Sequence, residues 1–266
     1  MSTYVISDIH GCFDEFQTML EKIRFSAEDT LYLAGDYIDR GKQSYEMLRW
    51  LEKVPENVKP IKGNHDVEFA ANVSIMVQVD QAKELMTDPL SNADTCALFD
   101  RVLYLQHKRN LDSGGYFDYY GTMKELLIRE KVTLHDLCVW AAMIDEFPFF
   151  YRFPMNERDC IVVHAGYIEE EDAGKAGYED PEGFYLYARE EAVKDGGIKN
   201  GLIIAGHTPT IARGTEFYND GEVFRYRDPV RDCVFYDIDC GCVFYELDPA
   251  ATMACIRLED EEIIYL

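Results

Sequence analysis

Five short apolar runs, each ending in a polar cluster, constrain this 266-residue chain more than any other feature. The middle one is residues 31–41, LYLAGDYIDRG, where an apolar run of strand length gives way to Asp36, Asp39 and Arg40 between two glycines. Asp8, in YVISDIHG, lies 28 residues upstream of Asp36, and Asn64, in KPIKGNHD, lies 28 downstream. That spacing fits strand, loop, helix, loop, strand taken twice, which sets three polar tips along one edge of a parallel sheet. CIVVHAG adds His164 and LIIAGHT adds His207 after two later runs. Open α/β sheets bind ligands at such strand tips, so the five ends are expected to share one rim.

The intervening segments complete an α/β expectation. Strands are expected at 4–6, 30–34 and 58–61, and helices at 13–23 and 44–51, where apolar residues recur at helical spacing. Residues 67–86, 96–105 and 124–147 read as helical, so 67–157 is expected to be a mainly helical insertion over the rim of a single domain, 1–266. After the strand at 160–163, a short helix at 185–193 is expected to carry Arg189. The segments 223–226, 233–238, 242–247 and 253–258 are rich in strand formers and suggest a second, antiparallel or mixed sheet. The whole reads as a sandwich of two sheets flanked by helices.

Charge narrows the partners. Fifty acidic against twenty-six basic side chains give a formal charge of −24, a surface that repels duplex nucleic acid and anionic lipid. No apolar stretch is long enough to span a bilayer and the N-terminus shows no signal-like segment. Of the eight cysteines, several sit inside hydrophobic runs, as expected of free thiols in a reducing compartment. A cytoplasmic protein is the expectation.

Four of the six histidines, His10, His65, His164 and His207, follow apolar runs or adjoin carboxylates. Carboxylates and imidazoles without cysteine suit manganese, iron or zinc. Two divalent ions are expected: one held by Asp8 and His10, the other by Asn64, His164 and His207, with Asp36 between them. A water shared by two cations about 3.5–4 Å apart becomes a bridging hydroxide, poised for in-line attack on phosphorus. His65 can donate a proton to the leaving group with Asp39 orienting it, while Arg40 and Arg189 offer planar forks for phosphate oxygens. His107 and His135 lack such context and read as surface or core residues.

The ordered set SDIHG (7–11), GDYIDRG (35–41), GNHD (63–66), HAG (164–166) and GHT (206–208) resembles the phosphoprotein phosphatase family of binuclear metallophosphoesterases. Their usual motifs are GDxHG, GDxVDRG, GNHE, HGG or HAG, and GHT. SGGYFDYYG (113–121), YLYARE (185–190) and YDIDCGCVF (236–244) extend the resemblance to the bacterial branch, which includes small Ser/Thr phosphatases and symmetrical diadenosine tetraphosphate hydrolases. It implies a calcineurin-like αββα sandwich. It further implies Asp8, His10, Asp36, Asn64, His164 and His207 as metal ligands with manganese the usual ion, phosphate binding by Arg40 and Arg189, and His65 with Asp39 as the acid pair. Three positions depart from the pattern: Ser7 replaces a glycine, Asp66 a glutamate, and Tyr116, Phe117 and Asp118 stand where Thr and Leu are common. The leading expectation is a phosphomonoesterase acting on phosphorylated protein or peptide side chains. The alternatives are a dinucleoside tetraphosphate hydrolase, for which Lys108, Arg109, Tyr116, Tyr119 and Tyr120 could hold a nucleotide, and a small-metabolite phosphatase.

Overall fold

Strand β1 (Thr3–Ile6) alternates its side chains between two cores, with Val5 facing one and Ile6 the other, as the two-residue period of a strand requires. A computed structural model describes residues 1–78 and 119–266. In it β1 lies third of five strands in the first sheet, ordered β10-β9-β1-β2-β3. β1 pairs in parallel with β2 (Thr30–Leu33), and β2 with β3 (Val58–Pro60). The connections are helices α1 (Phe13–Lys22) and α2 (Ser44–Leu51). They cover the outer face of this sheet, where Phe16, Met19, Met47 and Leu48 pack with Ile6, Leu31 and Leu33. β9 (Ala254–Arg257) and β10 (Glu262–Tyr265) add an antiparallel edge.

The second sheet runs β4-β5-β6-β8-β7. β5 (Arg158–Val163), β6 (Gly201–Ala205) and β8 (Cys233–Asp237) are parallel in its middle, while β4 (Phe150–Met155) and β7 (Phe224–Asp228) run antiparallel at its edges. Every residue of β6 and β8 is buried, as expected of strands covered on both faces. Val5, Ala34 and Ile61 of the first sheet meet Val162, Ile204 and Tyr236 of the second in a shared inner core. Helices α6 (Pro181–Tyr187) and α7 (Glu191–Lys194) cover the outer face. The layers are helix, sheet, sheet, helix, the α/β sandwich of two mixed sheets that the resemblance implies.

Helix α3 (Asn64–Val77) follows β3 directly, and α4 (Tyr119–Lys124) continues into a π-helical segment, Glu125–Arg129, before α5 (Leu134–Asp145). Trp140 of α5 is buried in the first core and donates its indole N–H to Glu52 at 2.6 Å. Trp140→Ala is expected to destabilise the fold by about 3–5 kcal/mol, read as a lower denaturant midpoint at unchanged slope.

Several boundaries differ from expectation. Residues 150–155 form strand β4 rather than part of a helical insertion, since they pair along β5 from Phe150 opposite Val163 to Met155 opposite Arg158. The helix expected at 185–193 breaks at Ala188, whose ψ is 136°. Arg189 therefore lies between two helices, its backbone N–H donating to the Glu191 carboxylate at 3.1 Å. Residues 242–247 are not a strand: Gly241, with φ of 73°, turns the chain into a 3-10 turn, Cys242–Phe244. The helix expected at 96–105, the end of that expected at 67–86, His107 and the nucleotide-binding candidates Lys108, Arg109, Tyr116, Tyr119 and Tyr120 lie outside the described residues or have side chains that do. Among the described residues no helix is long and apolar enough to cross a membrane.

Candidate active site

The five expected strand ends do meet, but they come from both sheets. β1, β2 and β3 deliver Asp8, Asp36 and Asn64 from the first, while β5 and β6 deliver His164 and His207 from the second. The loops after β1 and β2 are tied backbone to backbone, with Asp8 N–H to Gly35 O at 3.1 Å and His10 N–H to Asp36 O at 2.9 Å. Asp66, where the family pattern has glutamate, accepts from the N–H groups of Asp36, Tyr37 and Gly63 at 2.8, 3.1 and 2.9 Å. These ties hold an unfavourable backbone. Asp8, His10, Asp36, Asp39, Arg40 and His207 all have left-handed φ, between 45° and 76°, which costs roughly 1–2 kcal/mol per L-residue.

Two glycines are steric requirements. A Cβ at position 206 would lie 2.0 Å from Asp8 Oδ2, and one at 63 would lie 2.2 Å from Asp36 Oδ1. The backbone approaches each carboxylate so closely that the His207 and His65 N–H groups donate to them at 3.0 Å.

Asp36 is the hub. Its Oδ2 stands 3.5 Å from both His10 Nε2 and His164 Nε2. His10 donates its Nδ1 proton to Ile38 O at 2.8 Å, and His164 donates its own to Ala34 O at 2.9 Å. Each ring is thereby fixed with its Nε2 lone pair pointing inward, the usual arrangement for metal-ligating imidazoles. His164 Nε2 faces Asn64 Oδ1 at 2.9 Å, and His207 Nδ1 is 3.0 Å from the same oxygen. Two groups of donor atoms result, each with all atoms within 4.8 Å of one another: His10, Asp36 and His65, and Asp36, His164 and His207. Asp8 Oδ1, 3.9 Å from His10 Nε2, and His207 Nε2 are buried without a hydrogen-bond partner. Converging lone pairs and orphaned buried atoms are what cations at these two points would satisfy, so the residues fit the implied metals.

Protonation follows the same division. Burial drives the His10 pKa down to about 3, and drives that of His207 well below its usual value, with His164 and Arg189 adding to it. Both rings are neutral, as ligands must be. Burial pushes the Asp8 carboxyl up to about 6. At Asp36 burial is outweighed by His164, His65, His10 and His207, which hold the carboxyl below its ordinary range. His65 is the exception among the rings: burial lowers it, but Asp36 and the Asp39 hydrogen bond raise it to about 9.

His65 Nδ1 donates to Asp39 Oδ2 at 2.8 Å, as the acid-pair expectation requires. Arg40 lies across His10 and His65, its Nη atoms 2.7 and 2.9 Å from their Nε2 atoms, so it and a cation compete for the same His10 lone pair. Arg189 donates to Thr208 Oγ1 at 3.1 Å and opens on a cavity of about 410 Å3 that Tyr178, Tyr187 and Phe217 also line. His135 is exposed on α5. Sequence reasoning missed Thr122, buried on α4, whose hydroxyl donates to Asp39 Oδ1. No local signal marks it, because its role depends on α4 folding back 83 residues later. Asp237 and Asp239, each buried with one unpartnered oxygen, lie in the segment 236–244 that carries the resemblance, but sequence reasoning gave neither a role.

The chain resembles curated bacterial proteins named symmetrical bis(5'-nucleosyl)-tetraphosphatase. That of Buchnera aphidicola subsp. Baizongia pistaciae is 41% identical over 112 residues, 42% of this chain and 38% of the relative. That of Baumannia cicadellinicola subsp. Homalodisca coagulata is 50% identical over 72 residues, 27% of this chain and 25% of the relative. The matches thus span well under half of either relative. A solved protein serine/threonine phosphatase of Saccharomyces cerevisiae with similarity to human phosphatase PP5 covers 100% of this chain and 79% of its own, at a TM-score of 0.51 and 14% identity. At that identity the likeness concerns the fold alone. The relatives that share sequence are named for dinucleotide hydrolysis, and this overturns the expectation of a phosphoprotein substrate. A family model described as calcineurin-like phosphoesterase matches residues 1–236, and the chain belongs to that hydrolase family.

Proposed function

We propose that this protein is a divalent-metal hydrolase that splits dinucleoside tetraphosphates symmetrically into two nucleoside diphosphates. One observation carries the chemistry: Asp36 Oδ2 stands at the same 3.5 Å from the inward lone pairs of His10 and His164, where a carboxylate shared between two cations would stand. The substrate rests on the curated relatives and their printed names.

In this reading Asp8, His10 and Asp36 would hold one ion, and Asp36, Asn64, His164 and His207 would hold the other. Manganese is proposed because it is the usual ion of the family branch the motifs resemble, and oxygen and nitrogen donors without thiolate suit it, as they do iron and zinc. When bound, the two ions supply Lewis acidity and a nucleophile drawn from water at neutral pH. Arg40 and Arg189 orient the phosphate by its oxygens. The attacking water gives up a proton to solvent as its oxygen bonds to one inner phosphorus, the bond from that phosphorus to the bridging oxygen breaks, and that bond's electron pair stays on the bridging oxygen of the departing nucleoside diphosphate. His65, oriented through its Nδ1 by Asp39, hydrogen-bonds that departing oxygen, and Thr122 fixes Asp39 from its other oxygen. Residues 1–266 act as one domain, with the helices between β3 and β4 as its insertion. The buried free thiols of Cys160 and Cys255 fit a reducing, cytoplasmic setting.

The test is product analysis and kcat/KM with manganese-loaded protein. The expected result is a nucleoside diphosphate as sole product from diadenosine tetraphosphate, with kcat/KM about tenfold or more above that for phosphoserine and phosphothreonine peptides, a difference of ~1.4 kcal/mol or more. Preference for the peptides, or release of mono- and triphosphate, would defeat the proposal.

A further inference from the structure

Acidic side chains outnumber basic ones by 50 to 26 in this chain, yet a cavity of about 330 Å3 beside the metal-binding candidates is lined by Arg40, Lys42, Lys124 and Arg129. Its inner end is the site itself, because Arg40 contacts His10 and His65 and lining residue Thr122 donates to Asp39. Its wall is the π-helical segment after α4, where the Glu130 N–H reaches back five residues to Glu125 O at 2.9 Å. Such wide turns are rare and recur at functional sites. Here the turn belongs to the stretch that supplies Lys124, Glu125, Ile128 and Arg129 to the lining.

The counter-charges at this cavity are weak. Glu125 is its one lining carboxylate among the described residues; it accepts the Tyr45 N–H at 2.9 Å and lies 3.6 Å from Arg129. Burial pushes its pKa up to about 7, so part of its charge is lost at neutral pH. Lys42 pairs with Glu246 at 2.8 Å and Arg129 with Glu130 at 2.6 Å, and pairs this exposed contribute little and exchange readily. The Lys124 ammonium has no partner among the described residues. The volume lies at the small end of the ~300–1,000 Å3 range of ligand sites, room for a short phosphate chain rather than a whole nucleotide.

We propose that this cavity is a polyphosphate subsite, holding the phosphates of the departing nucleoside diphosphate beyond the phosphorus under attack. The inference rests on the dinucleotide reading above. Arg40, which lines its inner end and reaches His65 at 2.9 Å, joins it to the residue proposed to face the departing oxygen, which places it on the leaving-group side. It makes the length of the phosphate chain, rather than the nucleoside, a determinant of selectivity: a simple aryl ester has nothing to put there.

The test compares manganese-loaded wild type with Lys42→Ala/Lys124→Ala. The double variant is expected to lose about tenfold or more in kcat/KM for diadenosine tetraphosphate relative to p-nitrophenyl phosphate, chiefly through KM, with recovery in Lys42→Arg/Lys124→Arg. An equal loss on both substrates would overturn the subsite. A second arm measures inhibition of p-nitrophenyl phosphate hydrolysis by inorganic tripolyphosphate, with Ki expected to rise about tenfold in the double variant. Should wild type fail to prefer the dinucleotide, the functional reading falls and this arm alone decides the cavity. A higher Ki supports a site for polyphosphate as such, and an unchanged Ki overturns it.

Discussion

Asp36→Asn is expected to lower kcat/KM by about 10²–10⁴, because a shared carboxylate contributes several kcal/mol through both cations it would touch. Asparagine keeps the shape of the residue and an oxygen for the His65 N–H, now 3.0 Å away, so the backbone of the site should stay in place. What is lost is the negative charge that two cations would share. Steady-state kinetics with circular dichroism as the control separate this from unfolding. Wild-type activity in Asp36→Asn would remove Asp36 from the centre of the account.

His65→Asn has the next largest expected effect, and its size depends on the leaving group. General acid catalysis contributes roughly 10²–10⁴, most where the departing oxygen is a strong base. The variant should therefore lose about that much kcat on alkyl phosphates. It should lose much less on p-nitrophenyl phosphate or a dinucleoside tetraphosphate, whose leaving groups carry negative charge easily. Its metal content should stay at the wild-type level, which separates a proton donor from a ligand. That distinction matters because His65 also falls within 4.8 Å of the donor atoms of His10 and Asp36. A loss independent of leaving group, together with lost metal, would make His65 a ligand instead.

The rim was legible because each contributing residue lies within four residues of the end of a strand, and the equal spacing of Asp8, Asp36 and Asn64 dictates a strand-helix-strand repeat whatever the rest of the chain does. The division of the rim between two sheets was not legible, since a strand tip looks the same in either sheet and pairing is a long-range choice. β10 escaped notice because Glu262 opens it and its pairing depends on the left-handed turn at Glu261. Arg189 was found as a residue but misplaced on a helix, because the break at Ala188 depends on Glu191 and Thr208, contacts that periodicity does not encode. Thr122 was missed for the same reason. Substrate choice was read from motifs shared by phosphoprotein and dinucleotide hydrolases, and those motifs describe the metal chemistry they have in common. The features bearing on substrate, such as the cationic cavity at Lys42 and Lys124, come together only in three dimensions.

The most direct measurement is manganese binding to metal-stripped protein by titration calorimetry, for wild type and Asp36→Asn. Two ions per chain are expected in wild type, with both affinities weakened in Asp36→Asn because one carboxylate would serve both. A single ion per chain, or two sites that Asp36→Asn leaves untouched, would contradict that expectation.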